Sequence, residues 1–311
     1  MTLRSTVKSA VELLLARGGP AALARGARRE RGLVLAYHNV LPDGVAKLGD
    51  SSLHLPRADF AEQLDSLTRH YDVVPLDALV GGGTGGAQAG GRPRVAITFD
   101  DAYRGAVTVG MRELVRRGLP ATIFVAPWFV EESRSFWWDE LADPGAGVVP
   151  DALRDRVLDE LAGKDSEVRR WAAREGVALR PVTEPAARAA TEAELRAAAA
   201  EPGITLGSHS WSHPNVARLE PDELREELER PLRWLRERFD AGRVLPWLTY
   251  PYGRFSPDAE RAAAALGYRG AFRVDGGWMA APEPNAYALP RYNVPSGISR
   301  DGFEVRTSGA L

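Results

Sequence analysis

The chain has 311 residues, Lys+Arg 40 against Asp+Glu 42, a formal net charge of −2 and 44% hydrophobic residues. That length suits one large domain or two small ones with a substantial core, and the near balance of charge gives no electrostatic case for nucleic acid. No run approaches the roughly 20 apolar residues of a membrane span; with no cysteine there is neither disulfide nor thiolate site, so any metal must use His and carboxylate ligands.

Residues 1–31 read as an N-terminal helical extension. The apolar stretch Val11-Glu12-Leu13-Leu14-Leu15 is interrupted by Glu12, and Arg17, Arg25, Arg28, Arg29 and Arg31 follow it. A secretory leader has its basic residues first and an uncharged apolar stretch next, so the expected location is cytoplasmic rather than exported. The helix is expected to pack on the domain or to touch a partner, with peripheral contact to an anionic membrane surface as the alternative. One domain is expected over 32–300 and a C-terminal tail over 301–311.

Gly32 to Val40 reads as a buried strand that carries His38 near its end. Phe60, Leu64 and Leu67 have helical spacing, with Pro56 ahead of them as a start signal. Residues 81–91 are mostly glycine without periodicity, a surface loop; no Lys-Ser/Thr follows, so it does not match a phosphate cradle. Arg94 to Phe99 is a strand, 104–117 a helix closed by Gly118 and Pro120, and Ala121 to Ala126 the next strand, which together make a parallel βαβ unit. The stretch 127–203, with Phe136-Trp137-Trp138 and charged Ala-rich segments, reads as a helical insertion, a lid or a wall. Ile204 to Gly207 is a short strand. Residues 221–239 are helical, and Pro231 should kink or split them. Trp247 to Tyr250 is a strand, about 256–266 a helix, and a last strand lies near 270–274.

The suspicious residues follow these strands: His38; Asp100 and Asp101; His209 and His213; Tyr252. In an α/β barrel the reactive groups gather at the C-terminal ends of parallel strands. His209 and His213 are four apart, as in a helical His-Glu-x-x-His site, but Ser210 stands where that motif has Glu and Pro214 follows, so this is a loop. The third ligand must be a carboxylate, Asp100 or Asp101. Two His and one carboxylate leave positions open for water and substrate.

Adjacent carboxylates repel unless a cation neutralises one. If Asp101 binds the metal, Asp100 remains free as a base for water; the plain alternative for Asp101 is a helix cap. A backbone N–H near Tyr252, in the tight turn Pro251-Tyr252-Gly253, suits an oxyanion. His38 is the available general acid for a leaving amine, set against a buried structural histidine. His54 and His70 receive no role. Arg291 orients Asp100 through a salt bridge or pairs at the surface.

Taken together, these residues resemble the polysaccharide deacetylase family, the NodB-like domain of carbohydrate esterase family four, over roughly Leu33 to Val294. Thr98-Phe99-Asp100-Asp101, His209-Ser210-Trp211-Ser212-His213-Pro214 and Tyr250-Pro251-Tyr252-Gly253 are similar to its three motifs. The resemblance implies an α/β fold, an incomplete (β/α)7 barrel. It implies one divalent metal, usually zinc, with Co2+, Ni2+ or Mn2+ as alternatives. Asp100 would be the base and Asp101, His209 and His213 the ligands. The reaction would be hydrolysis of an N-acetyl, less often an O-acetyl, group on a sugar.

Three positions depart from the pattern. Ala102 stands where Gly is usual, Leu248 or Thr249 where Arg is frequent, and no Leu-x-His follows His213. Leu35-Ala36-Tyr37-His38 resembles the branch that acts on poly-N-acetylglucosamine and carries its acid on an N-terminal Tyr-His, which assigns the acid to His38. Phe136-Trp137-Trp138-Asp139-Glu140-Leu141 resembles members associated with exopolysaccharide. Trp128, Trp137, Trp138, Trp211 and Trp278 are sugar-stacking or core residues. The competing readings are an inactive glycan-binding relative and a non-haem iron oxygenase. The oxygenase is disfavoured because its His and carboxylate usually lie close in sequence.

Overall fold

Short strands, the longer of them mostly apolar, set the frame: Gly32–Tyr37 (β1), Asn39–Leu41 (β2), His54–Pro56 (β3), Asp72–Val73 (β4), Arg94–Phe99 (β5), Ala121–Val125 (β6), Ile204–Ser208 (β7), Val244–Thr249 (β8), Gly270–Phe272 (β9) and Tyr292–Asn293 (β10). They come from a computed structural model that describes residues 3–46, 48–80, 91–280 and 283–311. The main sheet runs β10-β1-β5-β6-β7-β8-β9, with β4 beside the start of β5, and its pairings are parallel. With helices around it this is the expected incomplete (β/α)7 barrel. The glycine-rich run expected over 81–91 lies outside the described residues apart from Gly91.

Side chains alternate across each strand, and two cores result. Val34, Ala96, Phe124, Trp247, Phe272 and Leu289 form one, closed by Leu76, Leu79 and Met279. Their neighbours Leu33, Leu35, Val95, Ile97, Ile123, Val125, Leu206, Leu248 and Ala271 join the larger core with the helices. Gly207 fits the inner surface because a Cβ there would lie 2.5 Å from the Phe124 ring. The gap between β9 and β1 is crossed by the segment that runs from a parallel bridge at Leu289 to β10. Arg291 sits in the middle of that crossing.

Helix Arg57–His70 buries Phe60, Leu64 and Leu67, as their spacing predicts. The helix after Asp101 opens at Arg104 and passes through a π turn at Ala106–Gly110 before Met111–Arg117. The expected strand to Val40 ends instead at Tyr37; the chain leaves the barrel at His38 and pairs Asn39–Leu41 with His54–Pro56. Pro231 does not split its helix, which runs unbroken over Pro221–Arg238. Nor is 301–311 a mere tail: Arg300–Ser308 is a helix that buries Phe303 and Val305 and packs against Leu3–Arg17. The contact includes Glu12, which accepts from Ser299 Oγ at 2.7 Å. Among the described residues no helix is long and apolar enough to cross a membrane.

Candidate active site

β5 delivers Asp100 and Asp101 into a bend. Asp100 N–H donates to Tyr37 O at 2.9 Å, and the chain then turns through left-handed conformations at Asp101 (φ 68°) and Ala102 (φ 56°). The usual Gly at the second position would adopt that conformation freely; Ala102 is held there with its methyl fully buried. The turn points two adjacent carboxyls in different directions.

Asp100 faces Arg291. The guanidinium is fully buried and donates from Nη1 to Oδ1 at 2.8 Å and from Nη2 to Oδ2 at 2.7 Å. Its own Nε donates to Arg273 O at 3.0 Å, and its carbon lies 5.8 and 6.0 Å from the Phe124 and Phe272 ring centroids. Arg291 thus stands on the inner core under Asp100 and does not line the cleft. Burial alone would raise the Asp100 carboxyl, but the Arg291 and His209 charges outweigh it and hold the group below the ordinary carboxylate range. Of the two settings open to Arg291, the buried salt bridge is the one found.

Asp101 faces the histidines. Its Oδ1 lies 3.1 Å from His213 Nε2 and 3.4 Å from His209 Nε2, and the two Nε2 atoms are 3.0 Å apart. Ligand atoms about 2.0–2.1 Å from a tetrahedral zinc lie roughly 3.3–3.4 Å from one another, so this triangle fits one such cation. Asp101 Oδ1 is buried without a hydrogen-bond partner, as expected of an atom that awaits a cation. His209 Nδ1 lies 2.8 Å from Thr249 O and 2.6 Å from Thr249 Oγ1; with its proton donated to that carbonyl, the Nε2 lone pair is left toward Asp101. Burial would raise Asp101, but His213 and His209 hold it well below the ordinary range. Burial lowers His213, whereas the negative charge of Asp100 and Asp101 overcomes burial at His209 and raises it. Asp101, His209 and His213 are the group of His and acidic side chains among the described residues that could hold a metal ion.

His38, Asp100, Asp101, His209, His213 and Tyr252 share one cleft of about 270 Å3. Tyr252 occupies its turn with φ 58° and lays its ring 4.6 Å from that of His213. Its hydroxyl accepts from Trp137 Nε1 at 3.2 Å, and burial pushes that hydroxyl well above its ordinary value. Trp137 and Trp138, from the helix Trp137–Leu141 of the 127–203 segment, form one wall. Trp278 instead packs on Tyr71, and Trp128 and Trp211 line a different cavity.

The rim holds residues that sequence reasoning passed over. Arg154, from helix Asp151–Glu160, pairs with buried Asp50 across the mouth. Arg254, after the Tyr252 turn, pairs with Asp159 at 2.8 Å. His54 is not a bystander: it is fully buried, donates from Nε2 to Asp139 at 3.0 Å and accepts at Nδ1 from Asn39 at 2.9 Å. Asp139 also accepts from Asp50 N–H at 2.9 Å and Tyr103 OH at 2.7 Å. This network anchors Asn39, directly after His38, together with Asp50 and His54. The only local signal for it was an acid following Trp137-Trp138.

The sequence profile of the polysaccharide deacetylase family matches residues 87–271. No curated protein matches the sequence. Among solved structures, the deacetylase PplD of Streptococcus pyogenes, in complex with acetate, superposes with a TM-score of 0.61 at 16% identity, over 89% of this chain and 98% of that one. IcaB from Ammonifex degensii gives 0.56 at 17%, over 91% and 98%. A de-N-acetylase from Aggregatibacter actinomycetemcomitans gives 0.59 at 17%, over 86% and 97%. These likenesses show a shared fold. The profile covers more than half of the chain, including both acidic and histidine motifs, so the protein belongs to the polysaccharide deacetylase family and is a carbohydrate deacetylase.

Proposed function

We propose that this protein removes the acetyl group from an N-acetylated amino sugar in a glycan or sugar conjugate, with one divalent cation, zinc for preference, held by Asp101, His209 and His213. The observation that carries the reading is the division of labour between neighbours. Asp101 Oδ1 meets two histidine nitrogens at 3.1 and 3.4 Å, while Asp100, one residue away, is turned to Arg291. A bound cation would polarise the acyl oxygen and lower the pKa of water.

The protein's own groups supply the rest. Asp100 is ionised and held by two charge-assisted bonds, yet each carboxylate oxygen keeps a second lone pair. It accepts the proton as water oxygen adds to the acyl carbon. Arg291 is a positioning residue for that carboxylate. A backbone N–H of the Tyr252 turn supports the developing oxyanion. His38 gives a proton to the nitrogen as the C–N bond breaks, so acetate and a free amine leave. His38 stands at the cleft with Asp100, which supports this assignment in the absence of a later histidine. Trp137 and Trp138 offer apolar surface to a sugar ring.

The test is metal content and acetate release on purified protein given N-acetylglucosamine oligomers and small conjugates. About one cation per chain with acetate release that stops on chelation is expected. Acetate release unaffected by chelation and metal removal would overturn the metal role.

A further inference from the structure

The loop that carries both histidines is held in a costly conformation. Ser210 (φ 60°) and His213 (φ 59°) are left-handed, a state that brings the Cβ of a non-glycine residue too close to the following carbonyl oxygen. Such residues persist only where the surroundings over-determine them. Here the successive N–H groups of Trp211, Ser212 and His213 all have an acceptor. His213 N–H donates to Ser210 Oγ at 3.1 Å, inside the loop. The other two are taken by one residue of the helix Pro221–Arg238.

That residue is Glu227. Its Oε2 accepts from Trp211 N–H at 3.0 Å and Ser212 N–H at 2.9 Å, and its Oε1 accepts from Ser212 Oγ at 2.6 Å. Trp211 N–H also reaches the backbone carbonyl of Glu227 at 2.9 Å. A mid-helix carbonyl is normally occupied by the N–H four residues on. Four residues on is Pro231, which has none. The proline therefore opens an acceptor on the helix at the point where the loop docks. The next carbonyl, Leu228 O, accepts from Tyr268 OH at 2.7 Å. Arg230 adds its guanidinium 3.6 Å from the Trp211 ring centroid. Glu227 lines a separate cavity with Trp211, Ser212 and Pro214 and does not line the catalytic cleft.

We infer that Glu227 and Pro231 form a clamp that presents His209 and His213 to the cation, which makes Glu227 a positioning residue for metal binding. This rests on the metal reading of Asp101, His209 and His213. The Glu227 carboxylate is hydrogen-bonded to the span between the two histidines, so its loss frees their relative position without removing a ligand. Pro231 makes the helix locally worse as a helix and better as a dock.

Metal-free protein is titrated with Co2+ and followed by its visible absorption, with the metal-free Tm measured in parallel. Glu227→Ala should bind Co2+ about 10–100-fold more weakly, the usual effect of losing an outer-shell support, with a weaker or shifted absorption band. Glu227→Gln, which keeps one carbonyl acceptor, should recover part of the loss. Glu229→Ala, on the same helix with its carboxylate paired to Arg225, should match wild type. Pro231→Ala restores an N–H that competes with Trp211 for the Glu227 carbonyl, so Co2+ affinity should fall while the metal-free Tm holds or rises. If Glu227→Ala does not fold, Glu227→Gln and Pro231→Ala decide the matter. Wild-type Co2+ affinity and spectrum in these variants would overturn the clamp, as would affinity losses that simply track losses in metal-free Tm. Failure of wild-type protein to bind Co2+ would instead overturn the metal reading beneath it.

Discussion

On the floor of the cleft Asp100 meets a fully buried arginine through bonds of 2.8 and 2.7 Å. On the rim Asp50 meets Arg154, whose side chain is 39% exposed. The first pair is fixed to barrel strands and shut off from water; breaking such a pair leaves an uncompensated buried charge and costs roughly 3–5 kcal/mol. The second joins a loop to an insertion helix: its guanidinium is in partial contact with solvent, and its buried carboxylate also accepts from Ser52 N–H and Oγ, so its loss leaves a less isolated charge than loss of the first. The contrast places the unforgiving geometry where the bond-making groups stand and the adjustable geometry where a substrate enters.

The largest expected effect falls on the floor. Asp100→Asn should abolish acetate release while Co2+ still binds; normal turnover in this variant would remove Asp100 as base. It should also cost roughly 3–5 kcal/mol in denaturant unfolding at pH 7, and this loss has a pH signature. Asp100 has a folded pKa below its ordinary 3.8. Its contribution is therefore complete above that value and is lost as pH falls through the folded one. The stability gap between wild type and Asp100→Asn should narrow below pH 3.8; a gap that stayed constant at lower pH would mean that the pair is not the source.

Next comes His38, in the lining of the same cleft. His38→Ala should slow turnover by roughly 10²–10⁴, and an unchanged rate would assign the proton to another group. Arg154→Ala should cost less stability than Asp100→Asn, because Asp50 keeps its bonds from Ser52, and should alter KM more than kcat. A kcat loss as large as that of His38→Ala would erase the distinction between rim and floor. The smallest effect is expected at Ala102→Gly. Relief of a left-handed alanine, roughly 1–2 kcal/mol, is offset by a lost buried methyl, about 0.8 kcal/mol, and by glycine entropy, roughly 0.4–1 kcal/mol. Denaturant midpoints should differ by about 1 kcal/mol or less.

The barrel and the motif residues of its cleft are legible along the chain because they are local facts. The strands β1, β5, β6, β7, β8 and β9 are short, mostly apolar runs; Asp100, Asp101 and His209 follow such runs directly, and His213 and Tyr252 lie a few residues further on in the loops behind them. Parallel pairing then carries these ends to one rim of the sheet. Tertiary structure alone decided the rest. Arg291 is 191 positions from Asp100, and no period in its segment shows that it crosses the open seam of the barrel. His54 looked idle because its partner, Asp139, lies 85 positions away. Pro231 reads as a helix breaker from propensity, since a sequence shows the N–H that proline lacks but not the loop N–H that takes its place. Backbone pattern is written in neighbours, whereas the satisfaction of buried charge and of orphaned carbonyls depends on what the fold brings beside them.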